Sequence, residues 1–398
     1  YKEINGKRIL RLLLCVGLNG TGKSKMFSAL NYLRMIATAK PQKPSDKPEY
    51  RPFLLDKSSS TQPTELSLIY YIDGTCFNYD IKVSSECIEE EELKLVQSRS
   101  SRIFYRYHNK ELDKVVINYG SACDLSKSDQ HDLEVNTLAN ASVLSTFGAL
   151  NLESQILSKN FDYFENHISM IHRSDKSLAD KLQTGDPEKD RVLKKLLLRL
   201  LNDVGTNICD YVIEEASLNI SELIANGAPD IVIKAMMEQY PSGVITHKNL
   251  RFIHSTKDGE SGLDFDLESL GTKNIIRLLV VLYDVVVGEK STCIDEIEYG
   301  IHTKALAFIL KMYLTIAENC QLIVATHDLS LLNADFLRRD AVRLFEKDEH
   351  GSTYVRRRDY LHKTISFYKT YEKEVSPQLD ELMRKIEIFI KYKDDIME

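Results

Sequence analysis

The sequence predicts an α/β fold with a mixed central sheet, an antiparallel β lobe and a helical insertion. Three observations predict it. A short apolar run at 9–16 leads straight into a glycine loop and then a helix-like pattern. Two more short apolar runs, 291–294 and 321–326, end in charged residues in the C-terminal half. Between the halves, from 126 to about 226, the apolar spacing is helical and lacks strand alternation.

The chain has 398 residues, enough for two or three domain-sized units. With 43% hydrophobic and 28% charged residues it has the balance of a soluble globular protein, which excludes disordered, collagen-like and coiled-coil chains. The longest apolar stretch, 278–287, is about half of the ~20 residues a membrane helix needs and contains Asp284, so no membrane partner is expected. No signal peptide is read at the start of the given sequence, but it begins with Tyr1 rather than Met, so targeting stays open. The cysteines (15, 76, 87, 123, 209, 293 and 320) are scattered and never form a C-x-x-C pair. They read as reduced thiols of a cytoplasmic protein. A net charge of -7 confines any nucleic-acid contact to a local patch.

The first element is the strand–loop–helix unit. Residues 9–16 have the near-continuous apolarity of a strand buried on both faces. Gly17-Leu18-Asn19-Gly20-Thr21-Gly22-Lys23-Ser24 follows, a complete G-x-x-x-x-G-K-[ST] match. Gly17, Gly20 and Gly22 let the backbone turn its N–H groups inward around phosphates, and the helix N-terminus adds a positive dipole. Lys23 is expected on the β- and γ-phosphates and Ser24 on Mg²⁺. Asn19 and Thr21 complete the nucleotide-binding loop.

In the second half the run 291–294 leads into Asp295-Glu296, as in a Walker B motif. Asp295 is expected in the Mg²⁺ shell, and Glu296 polarises the attacking water. The run 321–326 ends at His327, on the edge where such sheets bind ligands, in the place of a switch histidine contacting the γ-phosphate. Ahead of them Ser269 and Gly271 precede a one-faced apolar helix pattern (Ile275, Leu278, Leu279, Leu282, Val286). By itself that is a capped helix start.

These residues carry a resemblance. Asn19-Gly20-Thr21-Gly22-Lys23-Ser24, Glu268-Ser269-Leu270-Gly271-Thr272, Ile294-Asp295-Glu296-Ile297-Glu298 and Ala325-Thr326-His327-Asp328 together resemble the ABC-type ATPases of the RecF, SMC and OLD group. Within it the chain is most similar to the stand-alone AAA-type ATPases of bacterial anti-phage operons, such as the Septu and PARIS ATPases. The resemblance covers 1–125 and about 240–360, and includes Arg51-Pro52-Phe53-Leu54-Leu55-Asp56 and Arg338-Arg339-Asp340 as framework segments.

The resemblance implies an ABC-type P-loop ATPase head that binds ATP and Mg²⁺, with Lys23, Glu296 and His327 as its catalytic residues. It also implies that Ser269, Gly271 and Thr272 form a signature motif completing the ATP site of a second copy. ATP would then hold a head-to-tail dimer, or a higher oligomer, together. Asn274 and the lack of Gly-Gly-Gln make the signature an OLD-type variant, and no Q-loop glutamine is assigned.

The remaining elements follow in order. Residues 66–81 alternate around Asp73-Gly74 as a β-hairpin, and 102–107 reads as a further strand. The proline-rich 40–62 reads as a surface connection, and Glu89 to Glu92 as a solvated face. Helical spacing covers 133–150, 154–171 and 191–213, with a polar break at 181–190. Asp264 and Asp266 read as outward residues of a strand. Arg356, Arg357, Arg358, His362 and Lys363 form the densest basic cluster, a solvated strand end or a phosphate-backbone contact, and 379–397 reads as an amphipathic helix. The expected domains are 1–125 (N-terminal ATPase lobe), 126–235 (helical arm or lid), 236–345 (C-terminal ATPase lobe) and 346–398 (tail).

OLD proteins that carry a Toprim nuclease place it after the ATPase, and the stretch after His327 is too short for that module. A separate effector nuclease, of HNH or Toprim type, is therefore the expected partner, with DNA as another. Three functions remain open: a defence ATPase controlling that effector, a RecF/SMC-like repair or chromosome-maintenance ATPase acting on DNA, and a nucleotide-binding scaffold with little turnover. A neighbouring nuclease gene would favour the first, and salt-sensitive DNA binding the second. ATP binding without hydrolysis would favour the third.

Overall fold

A computed structural model of the chain describes residues 1–39, 43–171, 178–225 and 227–357. The chain divides into two compact units, Tyr1–Ile171 with Gly288–Ile297 and Ala317–Glu398, and His172–Val287 with Glu298–Ile316.

The first unit is built on a six-stranded sheet. Its order is Thr353–Arg357, Val342–Lys347, Leu12–Val16, Gln321–Thr326, Ser291–Ile294 and Ile168–Ile171. Only the outermost hairpin, Val342–Lys347 with Thr353–Arg357, is antiparallel; every other pair is parallel. A parallel strand is covered on both faces, which is why Leu12-Leu13-Leu14-Cys15-Val16 is apolar throughout. Helix Lys23–Thr38 covers it: Phe27 packs on Cys15, Cys293, Ala325 and Phe345, while Leu33 and Ala37 reach the antiparallel lobe. The strand is shorter than 9–16, because Lys7–Ile9 pairs with Lys2–Ile4 in a small ribbon instead.

The antiparallel lobe is a meander of Thr64–Ile72, Thr75–Val83, Ile88–Leu95, Ser101–Asn109 and Lys114–Tyr119. Its first two strands are the expected hairpin, turned by Asp73 (φ 48) and Gly74 (φ 78), the two left-handed residues a tight hairpin needs. The acidic run departs from a solvated face. Glu91 is only 1% exposed, with its carboxylate accepting from Tyr79 Oη (2.9 Å) and the Val143 N–H (2.7 Å). Arg106, equally buried, sits beside it and donates to the carbonyls of Ile88, Leu138 (3.2 Å) and Ala139 (3.0 Å). Burial raises the Glu91 carboxyl and lowers the Arg106 guanidinium, and each charge opposes the shift of the other.

The middle of the chain carries helices at Lys127–Asn136, Val143–Ala149, Gln155–Asp162, Leu178–Leu182 and Pro187–Asp203. The helical run read over 133–150 is thus broken in two, the polar stretch 181–190 is partly helical, and strands appear that the spacing did not announce. Ile168–Ile171 joins the central sheet after a single wide turn at Tyr163–His167. In the second unit the helix ends at Asp203, Gly205 (φ 89) reverses the chain, and Ile208–Asn219 is a long strand rather than more helix. It pairs with Val244–Thr256, which pairs with Gly259–Asp264. Helices Pro187–Asp203 and Leu270–Val287 pack together, burying Leu193, Leu197 and Leu201 of the first and Ile276, Leu279 and Leu282 of the second. The strand expected through Asp264 and Asp266 stops at Asp264, because Phe265–Leu267 turns as a 3₁₀ helix beneath Arg277, whose guanidinium lies 5.2 Å from the Phe265 ring centre.

No disulfide joins any of the seven cysteines. No helix among the described residues is long and apolar enough to cross a membrane. Arg356 and Arg357 lie exposed on the edge strand, whereas Arg358, His362, Lys363 and the amphipathic segment 379–397 lie outside the described residues.

Candidate functional site

The carboxyl end of Leu12–Val16 opens into the glycine loop. Gly17 is pinned: a Cβ there would lie 2.5 Å from the Phe345 carbonyl and 2.7 Å from Thr21 Oγ1. Gly20 (φ 79) and Gly22 (φ 97) take backbone conformations that other residues avoid, and Gly22 starts helix Lys23–Thr38. A Cβ on Gly22 would also meet Thr353 Oγ1 at 2.2 Å. Thr353, on the neighbouring edge strand, donates from that hydroxyl to the Thr21 carbonyl at 2.9 Å, and so fixes the peptide that enters the helix. Thr21 Oγ1 in turn donates to the Leu18 carbonyl at 2.8 Å. Lys23 is only 5% exposed, and its Nζ donates to the carbonyls of Gly17 (2.7 Å) and Leu18 (3.1 Å), so the ammonium is folded over the loop. Asn19, Gly20 and Ser24 are exposed.

Register places two other strand ends at the same edge. Val16 pairs with Thr326, and Val324 of that strand pairs with Ile294, so Asp295-Glu296 and His327 emerge beside the loop. The N–H of Ile297 donates to the Ala325 carbonyl (3.2 Å), tying the Asp295-Glu296 segment to the strand that ends in His327. Glu296 is exposed and held at φ 48, a conformation that stores about 1 kcal/mol or more in a residue with a side chain. Its N–H donates to Asp295 Oδ1 at 3.1 Å. His327 is exposed, and the chain turns after it because Asp328 accepts from the Ser330 N–H (3.0 Å) and donates its own N–H to Thr326 Oγ1 (3.0 Å). Beneath this edge burial pushes the Cys15 thiol up to about 12. Arg343 and Lys23 act against that shift and Asp295 adds to it, so these three charges share the end of the strand.

Ser269, Gly271 and Thr272 belong to the second unit, at the start of helix Leu270–Val287. Ser269 Oγ accepts from the Thr272 N–H (3.1 Å) and lies 2.7 Å from Thr272 Oγ1, which is helix capping. A Cβ on Gly271 would lie 2.9 Å from the Gly300 carbonyl, and Asn274 Nδ2 donates to the Tyr299 carbonyl at 2.8 Å. The helix start is thereby clasped to Tyr299 and Gly300 within the second unit. Behind it Glu268, nearly buried, lies 2.6 Å from His254 Nε2, and His254 Nδ1 lies 2.8 Å from Asn207 Oδ1.

Sequence reasoning missed Thr353, Tyr299–Gly300 and His254. Each acts through a contact between distant segments, and only Gly300 offered even a composition signal.

A glycine loop at a helix start beside a buried ammonium suits a chain of phosphates, and oxygen donors such as Ser24 and Asp295 suit a hard divalent cation. With strand order and loop in this arrangement, the class is that of P-loop nucleotide-binding α/β proteins. The chain belongs to the AAA_21 family, described as "AAA domain, putative AbiEii toxin, Type IV TA system", whose profile matches residues 16–333. Among solved structures it is similar to the SMC head domain from Thermotoga maritima, at 11% identity and a TM-score of 0.36, covering 87% of this chain and 90% of that one. It is also similar to an SmcHead bound to the C-winged helix domain of ScpA, at 12% identity and a TM-score of 0.39, covering 91% and 93%. A third is an Smc head domain with an extended coiled coil bound to the C-terminal domain of ScpA derived from Pyrococcus furiosus, at 10% identity and 0.35, covering 93% and 94%. No match is found among curated proteins.

Proposed function

We propose that the chain binds and hydrolyses ATP with Mg²⁺ as the ABC/OLD-like ATPase subunit of a bacterial anti-phage complex, and that it controls a separate effector nuclease. The observation that carries the reading is the convergence of Gly17 to Ser24, Asp295, Glu296 and His327 on one edge of a parallel sheet. The loop N–H groups and Lys23 hold the phosphates. Glu296, exposed and held in a left-handed backbone conformation, takes a proton from the attacking water. His327 donates a hydrogen bond to the terminal phosphate. Ser24 and Asp295 would hold Mg²⁺, which when bound would supply charge neutralisation for the phosphates.

Ser269, Gly271 and Thr272 act on the nucleotide of a second copy, in a head-to-tail pair. The defence setting is supported by the motif resemblance and by a family description that names a toxin of a type IV toxin–antitoxin system.

The test is Glu296→Gln. We expect ATP binding to persist and steady-state hydrolysis to fall roughly 10²–10⁴-fold. A variant keeping more than about a third of wild-type turnover removes Glu296 from the mechanism, because no general base contributes so little.

A further inference from the structure

The phosphate site has a direction. Asp295, Glu296 and His327 follow the strands on one side of Leu12–Val16, so the terminal phosphate faces that side. The nucleoside must then leave towards the other side, where Val342–Lys347 and Thr353–Arg357 lie.

On that side two adjacent leucines are left bare: Leu54 is 75% exposed and Leu55 67%. Leu55 has a fixed footing. A Cβ on Gly351 (φ 81) would lie 2.8 Å from Leu55 Cδ1, so the leucine side chain rests against the turn at 348–352. Two residues further on stands Thr353, whose side chain fills the space at Gly22 and bonds the Thr21 carbonyl. Two residues of extended chain span about 7 Å, which puts the leucine pair next to the phosphate loop.

We infer that Leu54 and Leu55 seat the base of the bound nucleotide, a conclusion that rests on reading the glycine loop as its phosphate site. The pair offers aliphatic surface with no donor or acceptor, so it holds the apolar face of a purine ring and does not read its edge. The neighbouring polar side chain, Asp56, is already engaged. Its carboxylate accepts from the Ser58 N–H (3.1 Å) and from the hydroxyls of Ser58 (2.5 Å) and Ser59 (2.7 Å), which hold it down at about 2. Adenine and guanine nucleotides therefore gain alike from this contact.

The test compares full-length wild type with the double variant Leu54→Ser/Leu55→Ser, titrating ATP, GTP and inorganic tripolyphosphate with Mg²⁺ by calorimetry. Both positions are exposed, so the melting temperature should not move. We expect ATP and GTP affinity to fall about tenfold and tripolyphosphate affinity to stay unchanged. Unchanged ATP affinity overturns the base seat and leaves a protein partner as the occupant of the leucines. An equal loss for tripolyphosphate also overturns it, because the leucines would then be acting on the loop. Lys23→Ala should weaken all three ligands. A wild type that binds neither ATP nor tripolyphosphate refutes the phosphate-site reading itself, and the base seat falls with it.

Discussion

Gly22→Ala puts two physical terms into one methyl group. At φ 97 an alanine costs about 1–2 kcal/mol, the usual penalty of a left-handed residue with a Cβ. The methyl would also stand 2.2 Å from Thr353 Oγ1 and 3.0 Å from its Cγ2, so the threonine must rotate away. Doing so breaks its 2.9 Å bond to the Thr21 carbonyl, about 1 kcal/mol more. If the whole of this roughly 2–3 kcal/mol falls on loop geometry, nucleotide affinity drops by about 30- to 150-fold.

Thr353→Gly separates the terms. In that background there is no clash and no hydroxyl to displace, so Gly22→Ala should cost only the backbone term, about 1 kcal/mol less than in wild type. Titration of a fluorescent ATP analogue against the four proteins, with urea unfolding of each, measures the cycle. Gly22→Ala binding within about twofold of wild type refutes the strain argument. Equal costs in both backgrounds refute the role given to Thr353.

Glu91→Ala strands the Arg106 guanidinium in the lobe interior and should cost roughly 3–5 kcal/mol in chemical denaturation. A loss below about 1 kcal/mol would mean that the carbonyls around Arg106 suffice. For the shared site, Ser269→Arg and Lys23→Ala should each lack ATPase activity alone, while mixed chains regain part of it through one intact composite site per heterodimer. No recovery, with heterodimers demonstrated, would leave Ser269 as an ordinary helix cap.

What the sequence made legible were the features written locally. The glycine loop, the Asp73-Gly74 hairpin and the apolar strands before Asp295 and His327 each carry their reason within a dozen residues. The rest depended on partners far along the chain. The helical spacing of 191–213 was genuine as far as Asp203, but Ile208–Asn219 owes its strand to Val244–Thr256, and no local signal announces that pairing. Glu91 reads as one more acid in a charged run, and only Arg106, on the next strand, explains why it turns inward. The candidate site was legible in its chemistry and illegible in its supports. Lys23, Asp295 and His327 are conspicuous by type, whereas Thr353 is an unremarkable threonine until the edge strand is laid beside Gly22.

The order of the central sheet also constrains how the molecule comes into being. Ser169 meets Thr292 across 123 residues, and Gln321 reaches the Leu10 carbonyl across 311. The strand that launches the glycine loop is translated well before both of its sheet neighbours, Gln321–Thr326 and Val342–Lys347. Until then its apolar face has only its helix and the antiparallel lobe for cover, which makes the nascent chain of high contact order, slow to close and exposed to aggregation. A ribosome stalled before residue 321 would carry the phosphate loop on a strand with no sheet to hold it.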